Sequence, residues 1–212
     1  LMHLGVDVVL YDHAQIQALI SLAEATPHVS MRRLGVHLKI ETGNHRQGVS
    51  LEEALTLVDL MRGPAGVSKI RLAGVTSHFA NIEDTRDHSF ARLQLKRLTQ
   101  AHAQLEARWG SPLMCHMANS AASLLWPEHV TSLARVGIAS YGLWPSGEVK
   151  ERVGSRLSPT LRPALSWRAR VAQVKEVAEG QPIGYGCTYV TTRPSRIAVL
   201  PIGYYEGYDR GL

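Results

Sequence analysis

Cysteine, long apolar runs and clustered basic charge are all scarce in this chain of 212 residues, and each scarcity removes a class of function. The two cysteines, Cys115 and Cys187, make neither a metal-type spacing nor a disulfide framework, so no metal centre is expected and a reducing, cytoplasmic compartment is. No apolar run approaches membrane-spanning length, and no signal-peptide pattern precedes the first expected strand, which argues against a membrane role. A net charge of +5 and a pI near 9.4 would suit nucleic acid. Yet Lys and Arg are scattered, with no basic run interleaved with aromatics, so nucleic acid is not an expected partner and anionic small molecules fit the charge equally well. An initiating Met is absent too: the sequence starts at Leu1, which suggests that an upstream part is missing.

What is present is an ordinary globular composition, 45% hydrophobic and 19% charged, long enough for a sizeable core in one or two domains. The stretch from Val36 to Gly48 sets the plan. It begins as an alternating strand, with His37 and Lys39 on one face and Val36, Leu38 and Ile40 on the other, and breaks at Thr42-Gly43 into a polar turn carrying Asn44, His45 and Arg46. Ile70 to Ala80 repeats this, ending in Ser77-His78; Leu113 to Ala122 ends in Asn119-Ser120; Leu133 to Gly142 carries Arg135 and ends in Tyr141-Gly142. Helical patterns separate them. One follows Asp12 and Gln15, with Ile16, Leu19, Ile20 and Ala23 inward; one runs from the capping box of Ser50 and Glu53 to Gly63-Pro64; a long one runs from Arg86 to Trp109, with Phe90, Leu93, Leu98, Ala101 and Leu105 on the core side and Gly110 at its end; a short one is capped by Ser120 and closed by Pro127. Parallel strands that deliver polar groups at their C-terminal ends make an α/β fold of (β/α) barrel type.

After Pro145 the character changes. Residues 147–163 are charged and punctuated by Pro159 and Pro163, as a linker would be, and Ala164 to Ala178, Thr188 to Thr192 and Ile197 to Ile202 are closely spaced strands with no helix between them. The expected domains are a partial barrel over 1–146 and the beginning of a β domain over 164–212, with too few strands to close a sheet.

Candidate chemistry sits at the ends of the expected strands. A buried Lys39 needs a carboxylate partner such as Glu41, or a modification. Arg46 is either a fork for a carboxylate or phosphate or a solvated turn residue, and His78 is a base, a relay or a satisfied core histidine. Asn119-Ser120 opens a helix where an anion can bind, and Arg135 on an apolar strand must be paired or face a ligand. Tyr185, between Gly184 and Gly186, is a freed side chain or part of a tight turn; Tyr204, Tyr205 and Tyr208 suggest a rim or an interface.

In order, HLKIETG with Arg46, SHFA, MANSAAS, RVGIASYGLWPS, IGYGCTY and LPIGYYEGYDR resemble the successive motifs of alanine racemases, pyridoxal phosphate enzymes whose fold is an eight-stranded (β/α) TIM barrel followed by a β domain. The resemblance implies that Asn119, Ser120, Gly137 and Ile138 bind the cofactor phosphate, that Arg135 faces the pyridine nitrogen, and that Arg46 holds the substrate carboxylate and the cofactor phenolic oxygen. It implies a carbamylated Lys39 and a catalytic Tyr185 that enters the other subunit's site in a homodimer, assisted by His78 and Arg135. Tyr204 would stand near the substrate entrance and Glu83 in its corridor. The implied reaction is two-base interconversion of L- and D-alanine, supplying peptidoglycan.

Departures are Asn44, His45 and Gln47 in the carboxylate turn and Tyr205-Glu206 at the entrance, which leaves open a broader amino-acid racemase, although Lys39 argues against it. The Schiff-base lysine of the family, in a V-K-A-N-A-Y-G-H-G context, has no counterpart among Lys39, Lys69, Lys96, Lys150 and Lys175. The expectation is therefore a fragment, inactive alone, lacking the first strands and the far end of the β domain; a cofactor-binding or dimerising remnant without catalysis is the other alternative.

Overall fold

In the computed structural model, which describes residues 4–25, 33–63, 70–209 and 211 and no side chain at 23 or 24, strand and helix alternate as the hydrophobic pattern predicts. The order is β1 (Val8–Leu10), α1 (His13–Ala25), β2 (Leu34–Lys39), α2 (Leu51–Arg62), β3 (Ile70–Thr76), α3 (Ser89–Trp109), β4 (Met114–His116) and α4 (Ser120–Leu125). The four strands form one parallel sheet in the order β1-β2-β3-β4. Sequential parallel strands joined by helical crossovers are the winding of a (β/α) barrel, here part of one. The register between β2 and β3 slips between Val36 and His37. On either side of that slip the strands keep their alternation: Val36, Leu38 and Ile40 pack with Ile16, Val58, Met61, Leu98 and Leu105, while His37 and Lys39 take the opposite face.

The helix starts follow from their caps. Asp12 accepts from the Gln15 amide at 2.8 Å before α1, and Ser50 and Glu53 form the expected reciprocal box before α2, which Gly63 ends. Pro64 and the side chain of Ala23 lie outside the described residues. Gly110 closes α3 in the left-handed conformation. Two details differ from expectation. The cap of α4 is Asn119, whose Oδ1 accepts from the Ala122 amide; Ser120 is the first helical residue. The inner face of α3 is Ala91, Gln94, Leu98, Ala101 and Leu105, with Phe90 and Leu93 exposed, because the wholly buried Gln94 hydrogen-bonds loops that an apolar residue could not satisfy.

Residues 133–142 are not a strand. Ser132 and Arg135 each donate one backbone bond toward the β4 side, to Cys115 and Ala118, but Gly137 turns out of the extended region and Ile138–Tyr141 forms a 3-10 turn ended by Gly142. An apolar run without a continuous ladder partner does not make a strand. The span 147–163, expected as a linker, contains the helix α5 (Gly147–Val153), capped by Ser146 and anchored by the fully buried Val149.

The chain divides into two compact units, Leu1–Ala164 and Leu165–Leu212. The second holds two antiparallel pairs: β5 (Gln173–Val177) with β8 (Ser195–Val199), and β6 (Pro182–Ile183) with β7 (Tyr189–Val190). These strands are shorter than the alternation suggests, and Leu165 and Trp167 are exposed outside them. Its loops are pinned by the buried Thr191, whose hydroxyl donates to Ala178 O at 2.7 Å and accepts from the Gln181 amide at 2.9 Å.

Candidate functional site

At the C-terminal ends of β2, β3 and β4 the polar groups predicted from sequence converge. The turn after β2 is closed by backbone bonds between Glu41 and Val49 and between Val49 and Lys39. Glu41 folds back onto this turn, accepting from the Gly43 amide and from the Asn44 amide at 2.7 Å. Burial pushes its carboxyl up, but the amides of Gly43, His45 and Asn44 outweigh that and hold it below the usual range. It is therefore committed to the loop and does not pair with Lys39. Lys39 instead donates to Gln47 Oε1 at 2.9 Å, and Gln47 in turn donates to Tyr11 at 3.2 Å. Burial, and then Arg46 and Arg135, push the lysine below its ordinary pKa. Arg46 is exposed on the same turn.

Thr42, Ser77 and Gln94 form a directed chain beneath the turn. Ser77 gives its only hydroxyl proton to Ile40 O at 2.8 Å, so Thr42 donates to Ser77 and accepts from Gln94. Gln94 also accepts from the Ala80 amide and donates to His78 O, which fixes the segment that carries His78. Sequence reasoning missed this glutamine; its one signal is a polar residue three positions after Ala91 on the buried face of a long helix.

Arg135 is the centre of the site. Its guanidinium donates to Thr76 Oγ1 at 2.9 Å, to Ser77 O at 2.6 Å and to His116 O at 3.3 Å, and contacts His116 Nδ1 and His78 Nδ1. An irregular backbone, not a strand, presents it. Burial lowers its pKa, yet a guanidinium stays charged at any physiological pH. His78 is pushed down by burial, then by Arg135, Arg46 and Lys39, and is neutral at pH 7. Its Nδ1 can then accept from Arg135.

Ser120 joins α4 to the next loop: its Oγ accepts from the Gly137 amide at 2.9 Å and the Ala139 amide at 3.3 Å. With both amides donating inward, the hydroxyl proton remains to be offered to a ligand. Asn119 spends its oxygen on the cap and its amide on Glu83 at 3.3 Å. The outcome is a cleft of about 320 Å³ lined by His78, Glu83, Asn119, Ser120, Arg135 and Gly137, with Ile138 at its side. Its size is that of a small-molecule pocket. Of the three cations that lower the His78 pKa, Arg135 lines the cleft itself, as does the Glu83 carboxylate. Seven of the residues expected from sequence thus come together: His78, Glu83, Asn119, Ser120, Arg135, Gly137 and Ile138.

Tyr185 and Tyr204 belong to the second unit. Tyr185 is fully exposed in a 3-10 turn between Gly184 and Gly186, both at positive φ, and Tyr204 opens another 3-10 turn, exposed beside Tyr205. Among the described residues no helix is long and apolar enough to cross a membrane.

Comparison with known proteins gives two family matches, "Alanine racemase, N-terminal domain" over residues 1–145 and "Alanine racemase, C-terminal domain" over residues 164–212. Among curated relatives, alanine racemase of Syntrophobacter fumaroxidans is 42% identical over 176 residues, covering 82% of this chain and 44% of that protein. That of Desulfosudis oleivorans is 35% identical over 219 residues, covering 95% and 53%. Among solved structures, alanine racemase from D-cycloserine producing Streptomyces lavendulae superposes with a TM-score of 0.84 at 32% identity, over 97% of this chain and 52% of that one. The chain spans about half the length of the curated relatives it matches.

Proposed function

This chain belongs to the alanine racemase family, and on that premise we propose that it supplies the phosphate site, the arginine partner and one acid/base residue of a pyridoxal 5'-phosphate enzyme that interconverts L- and D-alanine. The observation that carries the reading is the cleft, where His78, Asn119, Ser120, Arg135, Gly137 and Ile138 converge from separate loops. It fits such a group in size, in the cationic Arg135 on one wall, and in the open space above Gly137, where a Cβ would meet nothing within 4 Å. When bound, the cofactor supplies an electron-withdrawing ring that acidifies the α-proton of an amino acid.

The chain's own residues do the rest. The Ser120 hydroxyl, the Asn119 amide hydrogen not given to Glu83 and the Ile138 backbone N–H would hold the phosphate, with Gly137 leaving room for it. Arg135 is the residue that would face the ring nitrogen; having a far higher pKa than a pyridinium, it would donate a hydrogen bond there and surrender no proton. Arg46 holds the substrate carboxylate. Lys39, with its pKa lowered, has more neutral amine to add CO2, losing one proton and becoming a carbamate anion able to pair with Arg46. Tyr185 removes or returns the α-proton on one face, entering the partner's site in a homodimer, with neutral His78 and Arg135 adjoining it. Tyr204 lines the entrance and Glu83 its corridor. None of the five lysines of the sequence stands in the context required of the second acid/base, so that group is not supplied by these residues. Cytoplasmic supply of D-alanine for peptidoglycan is the role that fits.

The test is borohydride trapping of cofactor on the natural gene product, with peptide mapping, beside racemisation assays with alanine, lysine and serine. Trapping on a lysine outside the five named, with alanine preferred, supports the proposal; no trapped cofactor, or equal turnover of the three substrates, refutes it.

A further inference from the structure

Among the described residues no carboxylate pairs with the positive charge of Arg135; its partners are carbonyls, a hydroxyl and imidazoles. The nearest of those imidazoles leads elsewhere. A guanidinium only donates, so His116 Nδ1 must present a lone pair to Arg135. Unless His116 were an imidazolate, its proton then sits on Nε2, which lies 3.0 Å from His37 Nδ1. That nitrogen must accept, so the His37 proton sits on Nε2, 3.5 Å from Asp7 Oδ2. Asp7 also meets Arg71 at 3.2 Å. Every proton in the series points the same way, from Arg135 through two rings to a carboxylate.

The sheet makes room for this series in two places. A Cβ on Gly35 would stand 2.0 Å from Asp7 Oδ1 and 2.7 Å from the Arg71 guanidinium, and one on Gly74 would stand 2.7 Å from His37 Nδ1 and 2.6 Å from Met114 O. Both glycines lie in strands without positive φ, so space and not backbone freedom requires them. The β2–β3 register slip falls immediately before His37. Both rings are buried, His37 at 7% and His116 at 4% exposure, so water does not substitute for these partners.

We propose that Asp7, His37 and His116 are positioning residues: a one-way relay, in which a hydrogen bond joins the two rings and the Asp7 carboxylate faces the second, that locks His116 in its Nε2–H tautomer and thereby holds the Arg135 guanidinium in the wall of the cleft. Reversal of the relay would put His116 Nδ1–H against an arginine N–H, two donors face to face, and Arg135 would have to move. Neutral His116 agrees with this, since burial, Arg135 and His37 push its pKa down to about 4, with Thr76 the other group against the ring. The relay needs no cofactor, so it stands or falls separately from the racemase reading.

The test is 15N NMR of the histidine rings in the 212-residue chain without cofactor at neutral pH. The expected result is pyridine-type Nδ1 and pyrrole-type Nε2 for both His37 and His116. A pyrrole-type Nδ1 on His116, or a doubly protonated ring, overturns the proposal. Asp7→Leu, at a partly exposed position, should move the His116 resonances from a single tautomer toward the average of two, although the residues do not touch. Gly35→Ala, which displaces the Asp7 carboxylate, should reproduce that shift. Unchanged His116 resonances in both variants would show that Arg135 alone sets the tautomer and that the relay does not exist; a purely structural role would alter melting and leave the tautomer intact.

Discussion

Replacing Gln94 by Leu should loosen the site from behind while changing the helix face that carries it very little. The side chain is wholly buried, accepts from Ala80 N at 2.9 Å, and donates to Thr42 Oγ1 and His78 O at 3.3 Å each. Leu is close in volume, so no cavity term enters. Thr42 keeps its bond to Ser77 and loses least; Ala80 is exposed and its amide can turn to water; the His78 carbonyl is left without that donor. One buried orphan costs about 1–3 kcal/mol and each lost bond about 1 kcal/mol, partly offset by burying Leu in place of an amide, for a net loss of roughly 2 kcal/mol. At this chain length that corresponds to a fall in Tm of about 4–8 °C. Urea melts of both proteins at pH 7 measure it. Gln94→Glu sharpens the test: burial raises its carboxyl pKa, so the variant should come nearest the parent below the unfolded carboxyl pKa, near 4.3, where the single O–H of the acid keeps one of the two donated bonds, and lose stability as pH rises through its folded value. A Gln94→Leu protein as stable as the parent would mean that these bonds do not hold the His78 segment, and the account of the site's rear wall would be wrong.

His116 sets an acid limit. With a folded pKa of about 4 against an ordinary 6.5, the unfolded chain binds its proton first, so stability declines as pH falls from 6.5 toward 4, by at most about 3 kcal/mol; urea melts at pH 7 and 4.5 should differ less in His116→Gln, and an equal difference counts against a neutral His116. Thiol reagents should separate the cysteines, because burial pushes Cys115 up to about 11 while Cys187 is exposed; rapid labelling of both in the folded chain would contradict this. Asn119→Ala removes the α4 cap and the contact to Glu83, costing about 1 kcal/mol in a denaturant melt and weakening pyridoxal phosphate in a fluorescence titration; unchanged values in both would remove Asn119 from the site.

The parts of the fold legible in the sequence are those written locally. Ser50 and Glu53, Asp12 and Gln15, and Gly110 each act within one turn of where they stand, and the Val36, Leu38 and Ile40 alternation needs only its own strand. What was not legible depends on distant partners. Gln94 is inward because loops at residues 42, 78 and 80 need it, which no helical periodicity records. The run from Leu133 looks like a strand by composition, but its own bond to the β4 side is the single one from Arg135 to Ala118. In the site, Arg135 was marked by the cost of burying a charge in an apolar run, whereas its link through His116 and His37 to Asp7 appears only when three strands and the segment before them are brought together.

The double acceptance by Ser120 Oγ bears on how fast a ligand can arrive. Because the Gly137 and Ala139 amides are already tied to that oxygen, the loop is folded before binding and an incoming phosphate meets a finished wall. Association should then follow a single phase, linear in ligand concentration, with no slow ordering step behind it. In Ser120→Ala the same loop would have to find its shape around the ligand, and the rate should level off at high concentration.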